Sequence, residues 1–482
     1  MITTADPSAE TLREAGHRLI DRMADYLDGI ESRPVSTPHA PAHIATRFAE
    51  PLPLTARPAE EVWDDAWEMV VADSIHFAHP MYMGHQVAPP LPHAVLADTL
   101  ASLLNQSIAV WEMSPTGTLV EAQVIRWLAE LLGFPATADG TLVSGGSAAN
   151  LTGLLAAREA RFPGSWTAGV ARTPELERAV LVVSPHAHYC IERSAGLMGL
   201  GSDAVVSVPE RDGRMDPAAL EEVLRAVRRE GRIPLAVAAT AGSTATGLFD
   251  PLDEIADVAA RERVWLHVDG AHGASFLLSD ALRHHVRGIE RADSIAWDPH
   301  KMMFMPISLG AVLVRDRRHL DTAFQQKAPY LFHIRPGEER SRDMGKRTLQ
   351  CSRRFDALKL WICLRHYGAN FFGAIIEKTV QNTQLLHHRL SEAADFEPAH
   401  APEANILCFR HLPDRLRDTS DAEIDTFQAA VRERYNASGR GWITTTVLAG
   451  RRVLRVTMMN PHTGGEHLDR LLEGLRETGQ SI

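Results

Sequence analysis

Cysteine is scarce in this 482-residue sequence: Cys190, Cys351, Cys363 and Cys408 are scattered, with no CxxC pair. Four are too few for a disulfide framework in a chain of this size, so reduced thiols and a cytoplasmic setting are expected. Long apolar runs are missing as well. No stretch of about eighteen apolar residues occurs, and the opening MITTADPSAE has no basic segment followed by an apolar one. No membrane partner and no secretory leader are therefore expected. Positive charge is not in excess either, since 50 Lys and Arg stand against 61 Asp and Glu for a formal net charge of -11. The short basic runs at 225–230 and 315–318 read as solvated faces, so nucleic acid is not an expected partner. His186 with His188, and the pairs His284/His285 and His387/His388, lack a spaced third ligand, and no metal is expected.

What is present is a chain with 45% hydrophobic residues, enough for a large core. Residues 6–30 have the spacing of an amphipathic helix, with Asp6 and Pro7 as start signals. From Pro34 to Pro58 prolines recur without an apolar period, which suits an extended connector in an N-terminal arm. Helical patterns resume at 59–77, 91–108 and 117–133. Seven short apolar runs follow, TLVS (from 141), AVLVVS (179), AVVSV (204), PLAVAAT (234), RVWLHVD (263), SIAW (294) and LGAVLVRD (309), with helices such as 215–230 and 251–262 between them. Runs apolar on both faces predict a mainly parallel sheet covered on both sides, with its ligand site beyond the carboxyl ends of the strands. After a helix near 353–367, strands near 404–410, 442–448 and 453–459 predict a smaller α+β unit. The boundaries read as 1–78 for the helical arm and linker, 79–367 for the large domain and 368–482 for the small C-terminal domain.

The segment WDPHKMMFMP (297–306) sets Lys301 directly ahead of four apolar residues. A buried ammonium without a partner is costly, so Lys301 either snorkels from a strand end or serves as an amine nucleophile. Asp269 ends RVWLHVD and is either a strand-end cap or a carboxylate at the site. SGGSAAN (144–150) opens a helix after a strand, as a phosphate cradle or simply as a turn. TAGSTATG (240–247) brings Ser243 to the same edge, and PHAHYCIERSAG (185–196) brings His188. Each signal is soft alone, but Ser147, His188, Ser243, Asp269 and Lys301 all fall just past strand ends. A phosphate cradle, an imidazole, a carboxylate and an amine together are what pyridoxal 5'-phosphate requires. GGSAA (145–149) also nearly matches a nucleophile elbow, so a hydrolase with Ser147 as nucleophile is the rival reading.

WDPHK, HVDGAHG, SGGSAANLTGLLAAR and AHYCIERSAG together resemble the group II pyridoxal-phosphate decarboxylases, which act on aromatic amino acids, glutamate and diaminobutyrate. The resemblance extends from HPMYMGH (79–85) to RVLRVTMMNPHTGGEHLDRLL (452–472). It implies an α/β protein of fold type I, PLP-dependent decarboxylation of an L-amino acid to its amine, and a homodimer with active sites at the interface. Aldehyde-forming or carbon-carbon lyase chemistry on the same scaffold is the alternative within the cofactor's repertoire. By the resemblance Lys301 is the Schiff-base lysine, with His300 its neighbour, Asp269 the partner of the pyridinium nitrogen, Ala271 packed on the ring and His188 stacked over it. Gly146, Ser147 and Ala148 map onto the phosphate turn, with Ser243 beside it. Tyr330 matches a mobile-loop tyrosine that protonates the α-carbon, and Arg455 an arginine that meets the substrate carboxylate. His85 and Trp111, with Tyr82 and Gln86, are the substrate-pocket candidates. Two positions depart from the pattern: Asp298 replaces the usual Asn of Asn-Pro-His-Lys, and Ala148 replaces an acidic residue. NQSIAVWEMSPTGTLVEAQ is similar to diaminobutyrate-type members, whereas the C-terminal RVTMMNPHTGGEHLDRLLEGLRETGQ is similar to glutamate-type ones.

Overall fold

The computed structural model describes residues 9–334 and 341–482. Seven strands form the central sheet: β1 (Asp139–Val143), β2 (Ala179–Val183), β3 (Val205–Ser207), β4 (Ile233–Thr240), β5 (Trp265–Asp269), β6 (Ser294–Trp297) and β7 (Gly310–Val314). Their order is β1-β7-β6-β5-β4-β2-β3. β7 is antiparallel to both neighbours and every other pairing is parallel. β1, β2, β4, β5 and β6 therefore all end at one edge.

Alternate residues of these strands enter separate cores. Val180, Val182, Val237 and Ala239 pack with Leu220, Leu224, Ile255 and Val258 of the Pro217–Arg229 and Leu252–Glu262 helices. Leu181, Val183, Ala236 and Ala238 pack with Leu151, Leu154 and Leu155 of the Gly146–Arg161 helix. Covering on both faces is why these strands carry continuous apolar runs instead of an alternating pattern.

The second sheet holds β8 (Phe396–Pro398), β9 (Ile406–His411), β10 (Thr444–Leu448) and β11 (Arg451–Thr457) in the order β8-β9-β11-β10, all antiparallel. β8 was not anticipated, because three residues are too few to show a period. The segment at 81–83 adds to this sheet through Met83 N to Trp442 O (2.9 Å) and Trp442 N to Met81 O (3.1 Å).

The N-terminal region differs in part from expectation. Its first helix runs Ala9–Asp28 within the described residues, and the proposed start at Asp6 and Pro7 lies outside them. The 34–58 connector contains a helix, Pro41–Arg47, because Pro41 occupies the first helical position, where its missing N–H is no loss. Arg47 Nη1 holds this turn to Asp73 Oδ2 at 2.8 Å. The expected 59–77 helix is regular over Ala59–Ala66 and winds more widely over Trp67–Val71. No residue of Ala9–Asp28 is buried, and Leu12, Ile20 and Leu27 are exposed. Among the described residues no helix is long and apolar enough to cross a membrane.

Candidate active site

The carboxyl ends of the parallel strands surround a cavity of about 400 Å³. The register Thr240 to Asp269 to Ala296 sets Asp269 in the middle of that edge. Lys301 reaches the cavity from β6. Trp297 is fully buried and its Nε1 donates to Ser275 Oγ at 2.8 Å. Met302, Met303, Phe304 and Met305 are at most 1% exposed. The apolar run is thus an anchor, and the lysine ahead of it is the group left facing the cavity. A second lysine shows the structural alternative: Lys359, fully buried, pairs with Asp356 at 3.0 Å and Asp98 at 3.4 Å and donates to Pro306 O and Ser308 O. It fastens the loop that follows the Lys301 turn.

Asp269 is 8% exposed, and its Oδ1 accepts from Ala271 N at 3.2 Å. Behind it on β5, His267 Nδ1 lies 2.8 Å from Ser294 Oγ and Nε2 lies 2.7 Å from Asn150 Oδ1. Asn150 Nδ2 donates to Cys190 Sγ, so Asn150 Oδ1 must accept and His267 Nε2 must carry the proton. Burial pushes His267 down to about 4 and the Cys190 thiol up to about 12. A neutral chain of hydrogen bonds therefore backs the cavity wall.

His188 lies on the opposite side, after β2, where its Nδ1 accepts from Cys190 N at 3.3 Å. Burial lowers its pKa, while the Asp269 charge works in the other direction. Ser144 to Ala148 form the turn that opens the Gly146–Arg161 helix, and the first N–H groups of any helix have no intrahelical acceptor. Gly310 on β7 permits this turn to sit low, since a Cβ there would be 2.6 Å from Gly145 Cα. His300 and Ala271 also line the cavity.

The 240–247 turn faces the cavity through Gly242, whose φ of +80° suits glycine, and through Thr244. Ser243 is 3% exposed and its Oγ is committed to Thr246 Oγ1 at 2.7 Å, so Thr244 takes the wall position expected for it. His272, at most 2% exposed, links the two sheets: its Nε2 lies 2.7 Å from Asn405 Oδ1, and burial pushes it down to about 3.

A second cavity of about 360 Å³ shares His188 and Thr244 with the first and adds His85, His186, Thr444 and Arg455. Burial, and then the Arg455 and Arg432 charges, lower the pKa of His85. Tyr82 is core, with its hydroxyl accepting from His85 N at 3.1 Å. Trp111 and Tyr330 are not among the residues lining either cavity. Tyr330 is 83% exposed, and residues 335–340 of its segment lie outside the described residues. Asp343 accepts from Trp111 N at 2.9 Å and from His333 N at 2.8 Å, joining Trp111 to the base of that segment. Asn150, Cys190, Thr244 and His272 were missed in the sequence. Only Asn150, one turn into the helix after Gly146, carried a positional signal.

An amine, a carboxylate, an imidazole and a helix-start turn around one cavity fit pyridoxal phosphate, and they define a fold type I enzyme of that cofactor. The model of the pyridoxal-dependent decarboxylase conserved domain matches residues 41–412, and the chain belongs to that family. It is a PLP-dependent amino-acid decarboxylase. It is 34% identical to the L-2,4-diaminobutyrate decarboxylase of Rhizobium meliloti (strain 1021), over 100% of this chain and 94% of the relative. It is 33% identical to the cysteine sulfinic acid decarboxylase of Rattus norvegicus, over 86% and 85%. The Oryza sativa TDC, solved with PLP and tryptamine, superposes with a TM-score of 0.92 at 27% identity, over 99% of each chain. The hydrolase reading gains no support, because the matching family model and these relatives are decarboxylases.

Proposed function

We propose that Lys301 carries the cofactor, because it is the one lysine among the residues lining the cavity. Gly146, Ser147 and Ala148 would receive the phosphate at the helix start, and Asp269 would hold the ring nitrogen in its protonated form. His188 and Ala271 would bracket the ring, with His300 beneath the phosphate turn. The bound cofactor supplies an electron sink for the pair left when carbon dioxide departs. Arg455, buried beside the shared wall, would receive the substrate α-carboxylate, with His85 flanking the side chain. Fixing that carboxylate fixes which bond of the α-carbon aligns for cleavage.

We also infer a homodimer, in which Tyr330 serves the partner's cavity and delivers a proton to the substrate α-carbon. Its exposure, its separation from both cavities of its own chain, and the exposed Leu96, Leu100, Leu103 and Leu104 on one helix support that reading. Trp111 at the base of the same segment would then border the partner's substrate pocket. A cytoplasmic setting accords with four scattered thiols. Carbon dioxide release, screened over diaminobutyrate, ornithine, cysteine sulfinate, glutamate and aromatic amino acids, tests the activity and names the substrate. Release from none of them, with cofactor bound, would contradict the reading.

A further inference from the structure

β6 delivers a carboxylate to the same end of the cavity as the phosphate turn. Asp298 is 2% exposed, with Oδ2 lying 3.3 Å from Lys301 Nζ and 3.8 Å from His300 Nε2. Its Oδ1 is buried without a hydrogen-bond partner among the described residues. His300 does not supply one: its Nδ1 lies 2.7 Å from Leu309 O and donates there, and its Nε2 approaches Oδ2 instead. Two glycines fix the carboxylate under the turn. A Cβ on Gly146 would be 2.9 Å from Oδ2, and a Cβ on Gly310 would be 2.7 Å from Oδ1.

We propose that Asp298 sets cofactor affinity, pairing with Lys301 in the free site and opposing the phosphate in the filled one. The proposal rests on the reading of Lys301 and the 144–148 turn as the cofactor site. Two effects have the same sign. The 3.3 Å contact with Asp298 is made by the free lysine nitrogen, and it is disturbed when that nitrogen becomes bonded to the cofactor. A carboxylate cannot donate to a phosphate, and in a water-poor pocket it repels one. The chain therefore binds its cofactor less tightly than the same chain with a neutral residue at 298, and its occupancy follows cofactor supply.

The test titrates cofactor-free wild type, Asp298→Asn and Asp298→Ala with pyridoxal phosphate, reading occupancy from the visible absorption band. Pyridoxal, which lacks the phosphate, is the second titrant. Asn keeps the shape and adds an amide donor, whereas Ala removes the charge and adds no donor. Both variants are expected to bind pyridoxal phosphate at least about tenfold more tightly than wild type, with a smaller gain for pyridoxal. Equal or weaker affinity in both variants overturns the proposal, and tightening by Asn alone overturns its charge argument. A gain as large for pyridoxal overturns the claim about the phosphate. Lys301→Ala separates the two levels: a band that survives it overturns the site reading and the proposal together, whereas a Lys301-dependent band with unchanged affinity overturns the proposal alone.

Discussion

Arg455 Nη2 donates to Thr244 O across 2.6 Å, tying the second sheet to the turn that lines both cavities. Three further N–H groups go to Ala245 O, Gly84 O and Thr444 Oγ1. None goes to a carboxylate among the described residues, and burial lowers the pKa of the guanidinium. A buried cation held only by neutral oxygens is poised to attract an anion. Thr244 meanwhile brings that cation next to the cofactor cavity.

Removing the charge should therefore impair the handling of substrate and spare the cofactor. Arg455→Gln is expected to lower kcat/KM about a hundredfold or more, or about 3 kcal/mol, with the visible cofactor band retained. Steady-state kinetics beside a cofactor titration checks this. Loss of cofactor with normal substrate kinetics would place Arg455 elsewhere.

Asp269 should control the ring's power to accept electrons. Asp269→Asn keeps the shape and loses the charge, so turnover should fall about a thousandfold, or about 4 kcal/mol, with cofactor still bound at high concentration. Single-turnover carbon dioxide release measures it, and near-normal turnover would mean that the role is misplaced.

Tyr330→Phe should still release carbon dioxide but shift the product from amine towards aldehyde, ammonia and peroxide, because the carbanion waits longer for its proton. Quantifying all four in air gives the answer, and wild-type amine output without peroxide would remove Tyr330 from the protonation step. Mixing and refolding Lys301→Ala with Tyr330→Phe subunits tests the dimer. Roughly a quarter of wild-type amine formation is expected if the tyrosine acts across the interface, since about half the dimers are mixed and each has one intact site. Output no higher than that of the separate variants would contradict action in trans.

Buried histidines give the fold a pH limit. His267 and His272 titrate in the folded chain at about 4 and about 3, against an ordinary value of 6.5. Above 6.5 neither state takes the proton. Between 6.5 and about 4 the unfolded chain is protonated and the folded chain is not, so stability falls as pH falls, by up to about 3 kcal/mol for each group. Melting temperatures from neutral pH to about pH 4.5 should drop, and less steeply in His272→Gln. An unchanged slope in that variant would assign the acid loss to other groups.

The central sheet was legible because strands covered on both faces must be apolar throughout, and residues 235–239 or Gly310–Val314 carry that requirement without ambiguity. Lys301, Asp269 and His188 were legible for a related reason: polar groups directly after such strands have only one edge at which to gather. Other features depend on tertiary contacts that no local pattern records. Ser243 and Thr244 are adjacent hydroxyls in one turn, and only the bond to Thr246 decides which of them faces the cavity. The Pro41–Arg47 helix lay hidden among prolines because Pro is acceptable at a first turn. Lys359 is buried only because the fold brings Asp98 and Asp356 around it.

Borohydride reduction of the cofactor-loaded enzyme followed by peptide mass spectrometry tests the role of Lys301 most directly. The visible band should disappear, and a phosphopyridoxyl group should be found on the peptide containing Lys301 and on no other lysine. A reduced adduct on a different lysine, or an intact band with no adduct, would contradict it.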